Sequence, residues 1–332
     1  MRLLRKFINT FMIRVAFNCM ETKKHGLGHF IRCFNLARHI MASKNFEVSF
    51  IGNFSSFSLS ILNTKKVNVI QILSNDKLFL LLKNYDIIIT DRYDINQKHL
   101  NRLADLKKTK SILIDDFNNL DFSNQDLVIN FRVGIKHYIY NSKSSALGEK
   151  FFIYKPELEI VRENYKFNSC VKKILFFGSG TEKSNAVFNN LPLYLLDKYD
   201  DIEIIHITTN PLLVDNERYF TKKLDYSIEK YFEKTDVIIN GGGLIKYEAA
   251  FCGIPSATLS TNKDQHQDTI ILEKNSLLYN LGNQELENKQ NVESRITNFI
   301  NDSKLRRCLH NKGNSFFTPK SIKNLIQKIN EL

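Results

Sequence analysis

At 332 residues, 43% of them hydrophobic and 25% charged, the chain has the composition of a globular protein long enough for two domains, which excludes disordered and fibrous classes. A formal net charge of +12 favours an anionic partner, and because the lysines are spread along the chain rather than interleaved with aromatics, a nucleic acid is not expected. The five cysteines include no Cys-x-x-Cys pair and read as reduced core thiols, and no apolar run reaches the roughly 18 residues of a membrane span, so a cytoplasmic protein is expected.

In chain order, residues 1–11 read as a basic, apolar extension, leaving open either a frayed tail or a weak peripheral membrane contact. From Ile13 onward, short β-branched runs alternate with longer stretches of helical periodicity, the signature of parallel α/β units. The predicted strands are Ile13–Phe17, Glu47–Ile51, Asp86–Thr90, Ser111–Ile114, Leu127–Asn130, Lys173–Phe177, Ile202–Thr208, Asp236–Asn240 and Ser256–Leu259. A polar stretch around Arg162–Lys166 separates the fifth strand from the sixth and marks a domain boundary. At the C-terminus, Ile322, Leu325, Ile326 and Ile329 recur with the spacing of an amphipathic helix.

Two glycine loops stand out. The first strand leads into Gly26-x-Gly28-His29-x-x-Arg32, after which Cys33, Leu36, Ala37 and Ile40 follow a helical period, so the loop feeds a helix N-terminus able to approach an anion. His29 and Arg32, three residues apart, share one helix face, which sets an imidazole beside a fixed cation. The alternative is a capping loop with a solvent-exposed histidine. The third glycine of a dinucleotide fingerprint and the lysine of a P-loop are both missing. The second loop, Asn240-Gly241-Gly242-Gly243, joins a strand to a helix carrying Glu248 and is followed by Gly253-Ile254-Pro255. It offers backbone N–H groups to a diphosphate and a carboxylate to ribose hydroxyls, or else is a tight turn with a solvated glutamate. Asp91, Asp115 and Asp116 sit at strand ends, where they either orient a substrate or cap the next helix. A polar loop, Asn262 to Asp268, follows the last predicted strand and is placed to line a cleft.

Together these segments resemble the UDP-2,4-diacetamido-2,4,6-trideoxy-β-L-altropyranose hydrolases of pseudaminic acid biosynthesis and, more distantly, the glycosyltransferase that makes lipid II. The likeness runs from Val15 to Gly282. It rests on the Gly26–Arg32 segment with Leu36-Ala37, Asp91-x-Tyr93, Asp115-Asp116, Asp126 with Asn130, Leu147-Gly148, Lys155-Pro156-Glu157-Leu158, Phe177-Gly178, and Gly242-Gly243 through Glu248 to Gly253-x-Pro255. The resemblance implies an α/β, GT-B-like fold with two Rossmann-like domains whose parallel sheets face each other across a cleft: residues 12–160 on the sugar or acceptor side, 161–315 on the UDP side, and 316–332 as a C-terminal helix. It also implies a UDP-sugar substrate, no metal or organic cofactor, and displacement of UDP by water with inversion. His29, Tyr93 and Asp264 would be the catalytic residues, and Gly26, Gly28, Arg32, Gly178, Gly242, Gly243, Glu248 and Gln265 would bind substrate. The chain departs from the family at Asn18-Cys19-Met20-Glu21 and at Asp264-Gln265, both bordering the expected sugar site, so a glycosyltransferase passing the sugar to a lipid or glycan acceptor is the alternative.

Overall fold

The computed structural model describes residues 12–21, 27–43, 45–72, 75–178, 186–208, 212 and 215–332. The extension expected at residues 1–11 and the glycine at position 26 lie outside them.

The first half of the chain runs β1 (Ile13–Cys19), α1 (Gly28–Met41), β2 (Phe46–Gly52), α2 (Ser56–Thr64), β3 (Asn68–Gln71), α3 (Asn75–Leu82), β4 (Ile87–Asp91), α4 (Gln97–Ala104), β5 (Lys110–Ile114), β6 (Leu127–Asn130), β7 (Ser145–Leu147) and α5 (Leu158–Asn164). The second half continues β8 (Lys173–Phe177), α6 (Ala186–Lys198), β9 (Glu203–Ile207), β10 (Tyr219–Lys222), β11 (Val237–Asn240), α7 (Ile245–Phe251), β12 (Ser256–Ser260), α8 (Lys263–Lys274), β13 (Tyr279–Asn283), α9 (Lys289–Asn301), α10 (Ser303–Phe316) and α11 (Lys320–Asn330). All strands are parallel. They form a seven-stranded sheet ordered β3-β2-β1-β4-β5-β6-β7 and a six-stranded sheet ordered β10-β9-β8-β11-β12-β13. This is the expected α/β architecture of two Rossmann-like sheets.

The central strands are buried on both faces: Val15, Ala16 and Phe17 in succession are inaccessible to solvent, because helices cover both sides of each sheet. That double burial is why these strands read as continuous apolar runs. Each of the four strands absent from the predicted set, β3, β7, β10 and β13, is the outermost strand of its sheet. Edge strands are half-paired and half-exposed, so sequences such as Asn-Val-Ile-Gln and Tyr-Phe-Thr-Lys carry little apolar signal and take their structure from the neighbouring strand.

Helix α1 buries Phe30, Cys33, Phe34, Ala37 and Ile40 against the first sheet. The amphipathic C-terminal helix, α11, buries Ile322, Leu325 and Ile329. It packs back on the first half, where Ser321 Oγ donates to the Phe152 carbonyl at 2.9 Å and Asn324 Nδ2 to that of Lys150 at 3.1 Å. One apolar cluster contains residues from both sheets, among them Phe17, Phe152, Phe177 and Tyr247. The halves are also tied by Tyr226, whose hydroxyl accepts from Arg38 Nη1 at 3.2 Å and donates to Asn35 Oδ1 at 3.0 Å, with Arg38 held in place by a forked ion pair to Glu157 at 2.6 and 2.7 Å.

The reading of all five cysteines as core thiols needs correction. All are free, but only Cys19, Cys33 and Cys252 are buried, whereas Cys170 and Cys308 are exposed. They lie on irregular chain before β8 and on α10, outside the apolar stripes. No helix among the described residues is long and apolar enough to cross a membrane.

Candidate active site

Strand order locates the site. In the first sheet the chain winds outward from β1 to β3, then returns to lay β4 beside β1; in the second it winds from β8 to β10 and returns to lay β11 beside β8. Helices leaving adjacent strands at such a reversal diverge and open a crevice at the carboxyl ends of the strands. His29 follows β1 and Asp91 ends β4, while Gly178 follows β8 and the three glycines follow β11. The segment from Gly28 to Arg32 and the second glycine loop therefore border crevices, and one cavity is lined by Gly28, His29, Arg32, Tyr93, Gly242, Gly243, Glu248, Asp264 and Gln265.

On the first wall, His29 is 5% exposed, which removes the solvent-exposed alternative. Its Nδ1 lies 2.6 Å from Asp91 Oδ1. Arg32 grips the same carboxylate through Nε and, at 2.6 Å, through Nη2, and its Nη1 donates to Asp116 Oδ1 at 3.0 Å. Burial alone would push the Asp91 carboxyl upward, but the adjacent charges of Arg32 and His29 and their hydrogen bonds reverse this and hold it at about 2. An ionised carboxylate only accepts hydrogen bonds, so the 2.6 Å contact requires the proton on Nδ1 and leaves Nε2 of the neutral ring with a lone pair. With Arg32 the only permanent cation, His29, Arg32, Asp91 and Asp116 together carry one net negative charge when the ring is neutral. Tyr93 meets the His29 ring edge-on, centroids 4.0 Å apart, and stacks at a tilt toward Phe117 at 5.5 Å.

The strand-end carboxylates divide their duties. Asp91 orients His29 and Asp116 pairs with Arg32, whereas Asp115 caps a turn by accepting from the N–H groups of Phe117 and Asn118 at 3.0 and 2.6 Å and from the Tyr140 hydroxyl at 2.6 Å. Asn18 and Glu21 also serve the scaffold: Asn18 Nδ2 donates to the Ile51 carbonyl at 2.9 Å, and Glu21 accepts from Ser55 N–H and, at 2.6 Å, from Ser58 Oγ at the start of α2.

On the second wall, the loop after β11 is shaped by what cannot fit there. A Cβ on Gly241 would lie 1.7 Å from the Gly178 carbonyl oxygen, and one on Gly242 2.4 Å from Gln265 Oε1. Gly242 and Gly243 both have positive φ, 106° and 79°, a conformation open to glycine at little cost. The Gly242 N–H is held by Asn240 Oδ1 at 3.0 Å. That contact shapes the loop from within. Gln265 is pinned by Thr261 Oγ1, which donates to its Oε1 at 2.8 Å, and Asp264 is exposed in the first turn of α8. Glu248 is 8% exposed, so it is not a solvated glutamate. Burial, and secondarily the charge of Glu229, raise its carboxyl to about 7 against the opposing pull of Lys155.

Arg132, Lys155, Glu229 and Lys246 line the cavity without having been among the sequence-based site residues, and Asp268, from the polar stretch expected to line a cleft, joins them. Lys155 Nζ pairs with Glu229 at 2.5 Å, and Asp268 receives Lys246 Nζ at 2.8 Å, the Tyr247 hydroxyl at 2.7 Å and Arg132 Nε at 3.2 Å. Arg132 follows the end of β6, the type of position that lines such crevices, and Asp268 lies in the polar loop-helix segment, so their placement carried a signal. Glu229 lies on a 3₁₀ turn with none. Among the described residues, no group of three His, Cys, Asp or Glu side chains is arranged to hold a metal ion.

No protein-family model matches the chain. The chain is 25% identical over 266 residues to the uncharacterized protein MJ1062 of Methanocaldococcus jannaschii, a match covering 73% of this chain and 54% of that protein, so it spans about half the length of that relative. It is 22% identical over 255 residues to the spore coat polysaccharide biosynthesis protein SpsG of Bacillus subtilis, covering 72% of this chain and 75% of SpsG. Among solved structures, MurG of Acinetobacter baumannii superposes with a TM-score of 0.69 at 13% identity, covering 96% of this chain and all of MurG. MnaA of S. aureus with UDP superposes with a TM-score of 0.66 at 15% identity, covering 96% of each chain. The fold is that of the GT-B proteins, two parallel α/β sheets flanking a cleft.

Proposed function

We propose that the chain is a UDP-sugar hydrolase of surface-glycan biosynthesis, in which His29 activates water for attack on the anomeric carbon of a UDP-diacetamido-trideoxyhexose of the pseudaminic acid type. The observation that carries this reading is the His29–Asp91 pair at 2.6 Å, which leaves a basic Nε2 on a buried ring lining the cavity. Water oxygen forms a bond to C1, its proton passes to Nε2, and the bond from C1 to the β-phosphate oxygen breaks, the electron pair leaving with UDP. Inversion at C1 follows from attack opposite the leaving group. Asp91 stabilises the imidazolium without taking its proton. On the other wall, Gly243 and the start of α7 serve the diphosphate, Glu248 the ribose hydroxyls, and Gly178, Gly241, Gly242 and Gln265 the shape of the loop. Asp264 and Tyr93 border the sugar. The UDP bound to MnaA supports the nucleotide and the SpsG relationship supports the glycan setting.

The test is a time course with the UDP-trideoxyhexose followed by NMR. Free sugar and UDP should accumulate together, and unchanged turnover in His29→Ala would discard the assigned base.

One observation favours a second reading, a glycosyltransferase with a lipid or glycan acceptor. Tyr93 and Phe117 are 42% and 44% exposed beside His29, leaving an apolar surface where an acceptor can rest. Under that reading UDP release depends on the acceptor and is negligible in water alone.

A further inference from the structure

Four lysine or arginine side chains line the cavity among the described residues: Arg32, Arg132, Lys155 and Lys246. Three are enclosed within ion pairs, with side chains 8%, 5% and 2% exposed for Arg32, Lys155 and Lys246 in turn, whereas that of Arg132 is 23% exposed. Arg132 is anchored rather than free-swinging. Its Nε donates to Asp268 Oδ1 and its Nη1 to the Asp116 carbonyl, both at 3.2 Å. A guanidinium has five N–H donors in one plane, so those two contacts fix the fork and leave donors over.

Within its own ion-pair cluster, positive charge is in excess. Asp268 serves two cations, Lys246 at 2.8 Å and Arg132 at 3.2 Å, so the trio carries one net positive charge. Lys246 is occupied further by the Gln265 carbonyl and Thr269 Oγ1, both at 3.2 Å, which leaves Arg132 as the member facing the cavity. Asp268 lies one turn of α8 beyond Gln265, whose side chain packs on Gly242, so Arg132 reaches from the first half of the chain to the neighbourhood of the glycine loop.

We propose that Arg132 is a diphosphate-binding residue, supplied by the half of the chain that also carries His29, and that it meets the negative charge of the nucleotide diphosphate as the sugar bond breaks. This rests on the nucleotide-sugar reading given above. When that bond breaks, the diphosphate gains a full negative charge, and a preset cation is worth most where charge develops. A planar guanidinium suits two phosphate oxygens at once better than an ammonium does. Because the anchors of Arg132 come from both halves, a diphosphate bound there touches both walls of the cleft.

Calorimetric titration of the wild type, Arg132→Gln and Arg132→Lys with UDP, uridine and inorganic pyrophosphate tests this, with thermal melts of the unliganded proteins reporting on folding. In Arg132→Gln, affinity for UDP and pyrophosphate should fall roughly 10- to 100-fold while that for uridine is unchanged, and Arg132→Lys should lie between. Equal UDP affinity in Arg132→Gln and wild type overturns the proposal, as does a parallel loss for uridine and UDP, which makes Arg132 a strut between the halves. Wild-type binding of pyrophosphate without UDP or uridine, lost in Arg132→Gln, refutes the uridine nucleotide and upholds Arg132. Uridine and UDP binding equally to the wild type refutes Arg132 and leaves the nucleoside site standing.

Discussion

The wall of the cleft that carries His29 is organised by side-chain charge, and the wall that carries the three glycines by backbone shape. On the first, His29 and Arg32 share the Asp91 carboxylate, Arg32 also pairs with Asp116, and all four are largely buried, so each side chain is held in place by its charge partner. On the second, Gly241 and Gly242 are fixed by steric exclusion and Gly243 by its positive φ, and the cavity-lining Glu248, unlike Glu229 and Asp268, has no ion pair among the described residues, so burial raises its carboxyl to about 7. A proton-transfer group needs a defined charge partner, whereas a site for a polyanion needs room and N–H groups. Under the proposed function, the two walls divide the work into chemistry and binding.

The largest expected effect breaks the charge-organised wall. His29→Ala and Asp91→Asn should each lower turnover of the competent UDP-sugar about 10²–10⁴-fold, while UDP affinity measured by calorimetry stays near wild type. A comparable loss of UDP affinity would erase the division between the walls. Because the Asp91 carboxyl is held at about 2, its stabilising contribution is complete above the ordinary carboxylate range and is lost as pH falls through about 2. The stability gap between wild type and Asp91→Asn should therefore narrow in acid denaturation below pH 4.

Next in size is the shape-organised wall. A Cβ at position 241 has a backbone oxygen 1.7 Å away that cannot step aside, so Gly241→Ala should cost about 3 kcal/mol or more in chemical denaturation, the upper end of overpacking. Gly242→Ala meets the end of the Gln265 side chain instead, which can swing away, but it must adopt positive φ. It should cost less and weaken UDP binding more.

Glu248 sharpens the contrast with Asp91, since its shift has the opposite sign. Its folded carboxyl is raised to about 7, so between the unfolded value and 7 the folded state binds more protons, and its contribution to stability falls as pH rises through that window. Glu248→Gln should accordingly be more stable than wild type by roughly 2–3 kcal/mol at pH 8, and no more stable at pH 4. Equal melting temperatures at pH 8 would show that the carboxylate is compensated. The smallest effect lies at Arg38: Arg38→Ala removes a forked, partly exposed pair with Glu157 and one hydrogen bond to Tyr226 of the second half, and should cost about 1 kcal/mol.

The legible part of the fold is its interior. Nine strands were readable because double burial writes apolar residues into consecutive positions, and α1 and α11 were readable because one-sided burial writes them at helical spacing. The outermost strands were not, since their pairing is imposed by β2, β6, β9 and β12. The candidate site divides in the same way. His29 and Arg32 could be placed on one face because they are three residues apart on one helix, and the glycine loop because its composition demands unusual backbone angles.

Sequence by itself determined the elements whose physics is local: buried runs, helical periods, and glycines where φ is positive. What only the tertiary structure decided is which charges meet. Asp91 is 62 positions from His29, and Asp268 is 136 from Arg132. No local rule relates residues at such separations, because their contact exists only after the chain reverses to lay β4 beside β1 and the two sheets close on a shared core. Electrostatic interaction depends on distance and burial in space, and both are products of the fold.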